Sequence, residues 1–150
     1  MSTKSILLIC AMGFAFPLIA QAQNKLAAAK AIKCTFPLTA VGTWKSGKPE
    51  AEMKQSKLVL EFSAINTDEG SAQLDGGTGT FDIIVRYASG YLNFVQAFRD
   101  GPMYTTTVFM KETTGGKLKA VHSRHELFDF PLPGFTSSPE QYYGECEITQ

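Results

Sequence analysis

The sequence predicts an all-β fold: a small antiparallel, largely up-and-down barrel of about eight strands, with a β-sandwich as the alternative. Three observations carry this. Apolar and polar residues alternate with period two through most of the chain after residue 33. Clusters of Gly, Asn, Asp, Ser and Pro interrupt the alternation at short intervals, as tight turns require. Cys34 and Cys146 stand in the first and last of these runs. First and last strands are neighbours in an up-and-down barrel, so a bridge between them suits closure.

Taken in order, residues 1–22 read as a cleavable signal peptide. Lys4 supplies the positive start, residues 6–19 form an uncharged apolar run, and Ala20-Gln21-Ala22 offers a small-x-small cleavage pattern. The run is shorter than the ~20 residues that span a bilayer, and Gly13 and Pro17 weaken it as a helix. These features predict export to the periplasm or beyond, with no membrane span after cleavage. Cys10 leaves with the signal, and Ile9 before it fits no lipidation site. The remaining cysteines, Cys34 and Cys146, read as a disulfide in an oxidising compartment. Closing a loop of that length stabilises by about 4–5 kcal/mol in the loop-entropy model.

Residues 23–33 are rich in alanine and lysine and predict a linker or one short helix. Residues 34–150 form a single β-barrel domain. A strand over residues 34–44 ends at a turn over 45–49. The next strand, 57–65, places Leu58, Leu60, Phe62 and Ala64 on one face. Turn residues 66–70 lead to a short strand over 71–75, closed by the glycine-rich turn 76–79. Residues 80–88 set Phe81, Ile83, Val85 and Tyr87 against Asp82, Ile84 and Arg86. Ser89-Gly90 is a two-residue hairpin turn. Strands over 91–98, 103–111 and 117–127 follow, separated by turns at 100–102 and 113–116.

Residues 128–139 break the rhythm, because their three prolines do not suit a central strand. Phe128, Phe130, Leu132 and Phe135 make this segment a plug over one barrel end, a lid or a docking surface. Ser138-Pro139-Glu140 predicts a short helical turn reaching residue 142. Residues 144–148 are the last strand.

Composition narrows function. Hydrophobic residues make up 44% and charged residues 19%, which is globular rather than disordered. Fourteen basic residues balance fourteen acidic ones, with no basic stripe. The chain therefore carries neither a nucleic-acid footprint nor a polybasic membrane-surface segment. On a strand, His122, Arg124 and Glu126 share one face while Ser123 and His125 share the other. The two histidines cannot converge there, and the cysteines are paired, so no metal and no cofactor are expected. There is no Gly-x-Ser-x-Gly elbow, and the 76–79 loop lacks a Walker lysine and a following helix. No catalytic residue is assigned. An enzyme using His122, Arg124 or His125 is the least favoured reading. The candidate ligand-binding residues are Trp44, Tyr104, His122, Arg124, Phe130 and Phe135. They point to a non-enzymatic binding protein for a small apolar or amphipathic ligand. The alternative is a protein-interaction module, such as an inhibitor of an extracellular enzyme, whose partner is an envelope or extracellular protein.

Three resemblances add to this. The stretches Tyr104-Thr105-Thr106-Thr107-Val108-Phe109, Ala120-Val121-His122-Ser123-Arg124-His125 and Ser138-Pro139-Glu140-Gln141-Tyr142-Tyr143-Gly144-Glu145-Cys146-Glu147 resemble a family of small exported bacterial proteins without an assigned activity. That likeness implies export and one compact domain. Gly42-Thr43-Trp44 is similar to the Gly-x-Trp signature of lipocalins and related calycin barrels. It implies a tryptophan closing the barrel base over a small-molecule cavity. Ser89-Gly90-Tyr91 resembles the Ser-Gly-x-x-Tyr loop of periplasmic inhibitors of c-type lysozyme, except that tyrosine here follows glycine directly.

Overall fold

A computed structural model describes residues 25–76, 79–99, 101–128 and 137–150. The segment expected to be a signal peptide (residues 1–22), Phe130 and Phe135 lie outside the described residues. Eight strands follow one another: β1 (Ile32–Lys45), β2 (Lys48–Asn66), β3 (Ser71–Gly76), β4 (Gly79–Ala88), β5 (Tyr91–Ala97), β6 (Met103–Glu112), β7 (Leu118–Arg124) and β8 (Glu140–Ile148). They close into a barrel in sequence order, with β8 pairing antiparallel to β1. The ring decides for the barrel over the sandwich.

Local chemistry explains the hairpins. Ser46-Gly47 has φ of 51° and 76°, and Ser89-Gly90 has 51° and 82°. Two successive positive φ values match the right-handed twist of the strands they join. The turn expected over residues 45–49 is therefore only two residues long, and β2 starts nine residues before the expected Lys57. That early stretch of β2 is almost wholly exposed and charged, so it shows no apolar alternation. It is a strand because it pairs with β1, from Lys45↔Lys48 onward. β8 leaves β1 at Val41, and β3 meets β2 only from Glu61. The tips of β1 and β2 consequently project from the barrel as a two-stranded ribbon.

Two bulges shift the inward parity. On β1 the register breaks between Phe36 and Leu38, at Pro37, so Phe36 and then Thr39 point inward. On β2 the expected inward Ala64 takes a φ of 48°, and its neighbour Ile65 is buried instead. A residue in this conformation inserts one extra position and turns the following side chain to the other face. The helical turn expected over 138–142 is also corrected: β8 begins at Glu140, which pairs with Val41 and Arg124. Ladder bonds on both flanks override the local capping preference. β7 stops at Arg124, short of the expected residue 127.

The interior is apolar at the end where β1 begins and β8 ends, here the lower end. A helical turn over residues 25–28 brings Leu26, with Ala29 just after it, against that end as a plug. It is tied down by Lys30 N–H to the Gln150 carbonyl (2.9 Å) and Ile65 N–H to the Lys30 carbonyl (3.1 Å). Above it, Cys34 and Cys146 face each other across the β1/β8 seam and form the disulfide, both 0% exposed. Phe62 and Phe94 stack in mid-barrel with ring centroids 3.9 Å apart.

Candidate functional site

The upper half of the barrel interior is polar. Cross-strand register builds it in two rows: Thr106, His122 and Tyr142 in one, Tyr104, Arg124 and Glu140 in the next. The period-two reading of the 122–126 segment holds for its inward face. His122 and Glu126 are each 3% exposed, and His125 is exposed. Ser123 departs from it, being buried and accepting a 3.4 Å bond from Gln141 Nε2.

His122 is held in one protonation state. Arg124 Nε–H donates to His122 Nε2 at 3.1 Å. That nitrogen must be the bare acceptor, so Nδ1 carries the proton and donates to Thr106 Oγ1 at 2.8 Å. Burial, and then the Arg124 charge, push the imidazole down to about 3. Its lone pair is occupied by an arginine, so it is not available as a base near neutral pH. The guanidinium lies 4.9 Å from the Tyr104 ring centroid and 5.3 Å from that of Tyr142. Burial raises both phenols. Glu126 beside Tyr104 raises that one further, and the Glu140 carboxylate, which accepts from the Tyr142 hydroxyl, helps bring Tyr142 to about 12.

Three sequence-predicted residues, Tyr104, His122 and Arg124, thus come together. Trp44 does not join them. It sits near the tip of the projecting ribbon, 54% exposed, and closes neither end of the barrel. The cluster also leaves little room. A void of about 10 Å³ lies among Phe62, Leu74, Phe94, Tyr104 and His122, space for one water at most. Among the described residues, no group of three or more His, Cys, Asp or Glu side chains gathers to hold a metal.

Among the described residues, the larger concavities are on the outside. β6 pairs Val108 with Ala120 and resumes at Glu112 with Leu118, so residues 109–111 stand opposite Lys119 alone. The bulged backbone is held elsewhere: Met110 N–H donates to the Gly90 carbonyl at 2.9 Å. The gap between β6 and β7 forms a groove of about 560 Å³ lined by Tyr91, Phe109, Met110, Val121 and Tyr143, with Lys111 and Lys119 alongside. Tyr91 meets Phe109 edge-on at 5.7 Å, and the Tyr143 hydroxyl donates to Gln141 Oε1.

A second depression of about 570 Å³ lies across β8, lined by Pro37, Leu38, Leu58 and Val59 where β1 bulges. Gly144 makes that bulge possible. A Cβ there would stand 2.0 Å from the Thr35 carbonyl oxygen and 2.8 Å from Phe36 Cα. Tyr143, 39% exposed, is the ridge shared by both grooves. The sequence did not reveal the grooves, because they open where the register of one strand slips against its neighbour, which neither strand shows alone.

No family model, curated protein or solved structure matches this chain. The class that fold and site define is an eight-stranded antiparallel barrel with a grooved, aromatic outer wall and, among the described residues, a closely packed interior.

Proposed function

We propose that the protein is an exported, non-enzymatic interaction module that binds an envelope or extracellular protein through the outside of its barrel. Inhibition of an extracellular enzyme is one activity of this kind. The observation that carries the reading is the contrast in space among the described residues: a void of about 10 Å³ inside the barrel against about 560 Å³ in the outer groove. Pockets for small apolar ligands enclose most of the ligand's surface; an open aromatic face is the anatomy of a protein interface. The neutral, arginine-bonded His122 speaks against acid–base chemistry. Export rests on residues 1–22 and accords with the Cys34–Cys146 disulfide.

Affinity purification from envelope and culture-fluid extracts of the source cells tests this, with native mass spectrometry of the eluate. The expected result is a stoichiometric protein partner on wild type that is lost on a folded Tyr91→Ser/Tyr143→Ser variant. A co-purified hydrophobic small molecule without a protein, or no partner at all, overturns the reading.

A further inference from the structure

We propose that the groove between β6 and β7 receives an acidic segment of the partner that carries one large apolar side chain. The inference rests on the protein-binding reading above and adds the place and the chemistry. The groove wall is apolar and aromatic, from Tyr91, Phe109, Val121 and Tyr143. Its charge is of one sign. Lys111 on β6 and Lys119 on β7 flank the bulge from opposite sides. Neither forms an ion pair among the described residues. Glu145, the register partner of Lys119, is engaged by Lys117 at 3.6 Å. Two uncompensated ammonium groups beside an apolar slot complement a carboxylate next to an apolar anchor.

The slot is also ordered in advance. The Tyr91–Phe109 edge contact, the Tyr143–Gln141 bond and the Met110–Gly90 backbone bond hold its walls, which lowers the ordering cost of binding. Other surfaces carry less. The second depression has charges of both signs, Lys57 and Glu145. The projecting edge of β2 carries Lys48, Pro49, Glu50, Glu52 and Lys54, a pattern that discourages strand addition.

The test titrates purified, disulfide-bonded protein, labelled for amide NMR, with a peptide of sequence Glu-Asp-Trp-Asp-Glu. Comparison probes are Lys-Lys-Trp-Lys-Lys, Glu-Asp-Ser-Asp-Glu and dodecanoate. The acidic tryptophan peptide is expected to shift the amides of Tyr91, Phe109, Val121 and Tyr143 saturably, and more tightly than either comparison peptide. A Lys111→Glu/Lys119→Glu variant, whose exposed substitutions leave the melting curve unchanged, is expected to weaken it by about tenfold or more. Equal binding of the basic peptide, no effect of the charge reversal, shifts at another surface, or saturation by dodecanoate alone overturns the proposal. So do groove shifts that follow protein concentration without peptide, which would make a second copy the occupant. In each of those cases the affinity purification still decides the protein-binding reading, because it makes no assumption about the partner's charge.

Discussion

The two ends of the barrel exclude water by opposite means. The lower end is closed by Leu26, Ala29, Ile32 and the buried disulfide, groups that ask only for volume and contact. The upper interior is closed by Thr106, His122, Arg124, Tyr104 and Tyr142, groups that must each find a partner. Apolar closure tolerates changes of shape in proportion to the volume lost. Polar closure fails when one member leaves another buried and unpaired. The difference is that the upper end, besides contributing stability, brings in buried titrating groups that make it depend on pH.

The largest effect is expected at the lower seam. Cys34→Ala/Cys146→Ala opens a closure between residues 112 apart in sequence, and should lower unfolding free energy by about 4–5 kcal/mol in a urea titration. A loss under about 1 kcal/mol would mean that the β1/β8 ladder alone holds the ring. Leu26→Ala should cost about 3 kcal/mol, since Leu26 is a fully buried plug. If it costs nothing, the helical turn does not seal the barrel.

At the upper end, Arg124→Met leaves the His122 Nε2 acceptor without its donor, at an expected cost of about 1–3 kcal/mol at neutral pH. The same change removes the positive charge that helps depress His122, so the imidazole should titrate higher by NMR. An unmoved His122 would show burial to be the whole cause.

The pH dependence has a definite sign. Folded His122 takes up a proton near 3, whereas the ordinary value is 6.5. The unfolded chain is therefore protonated first, and His122 favours folding fully above 6.5. That contribution falls as pH drops from 6.5 toward 3 and declines no further below it. His122→Gln keeps an acceptor and a donor without a titrating group, and should flatten this part of the stability–pH curve. The smallest expected effect lies at high pH. Tyr104 and Tyr142 are raised above their ordinary 10.0, so their contribution is present below pH 10.0 and lost above it. Their phenolate absorbance should be the late part of an alkaline titration, missing in Tyr104→Phe and Tyr142→Phe.

Legibility in the sequence follows the range of the interaction. The inward rows Ile83–Val85 on β4 and Leu92–Phe94 on β5 were readable because alternation is a property of neighbours two apart. Ser89-Gly90 was readable because its conformation is local. The charged start of β2 was not, since nothing in Lys48–Lys57 alternates and only β1 makes it a strand. Among the site residues, His122 and Arg124 were readable as sharing one face by parity on β7, whereas only the register of β6 against β7 brings Tyr104 beside them. Trp44 was placed at the barrel base on a three-residue likeness, and the structure puts it on the ribbon.

The sequence by itself thus determined the fold class, the hairpin turns and the pair of cysteines that meets at the seam. It also placed His122 and His125 on opposite sides of the wall. Only the tertiary structure decided closure as a ring, the tautomer of His122 and the grooves around Tyr143. The reason is physical: alternation and turn conformation are written in adjacent residues, whereas bulges and grooves arise between strands. Pro37 can step out of register only because Gly144, more than a hundred positions away, has no side chain to block it.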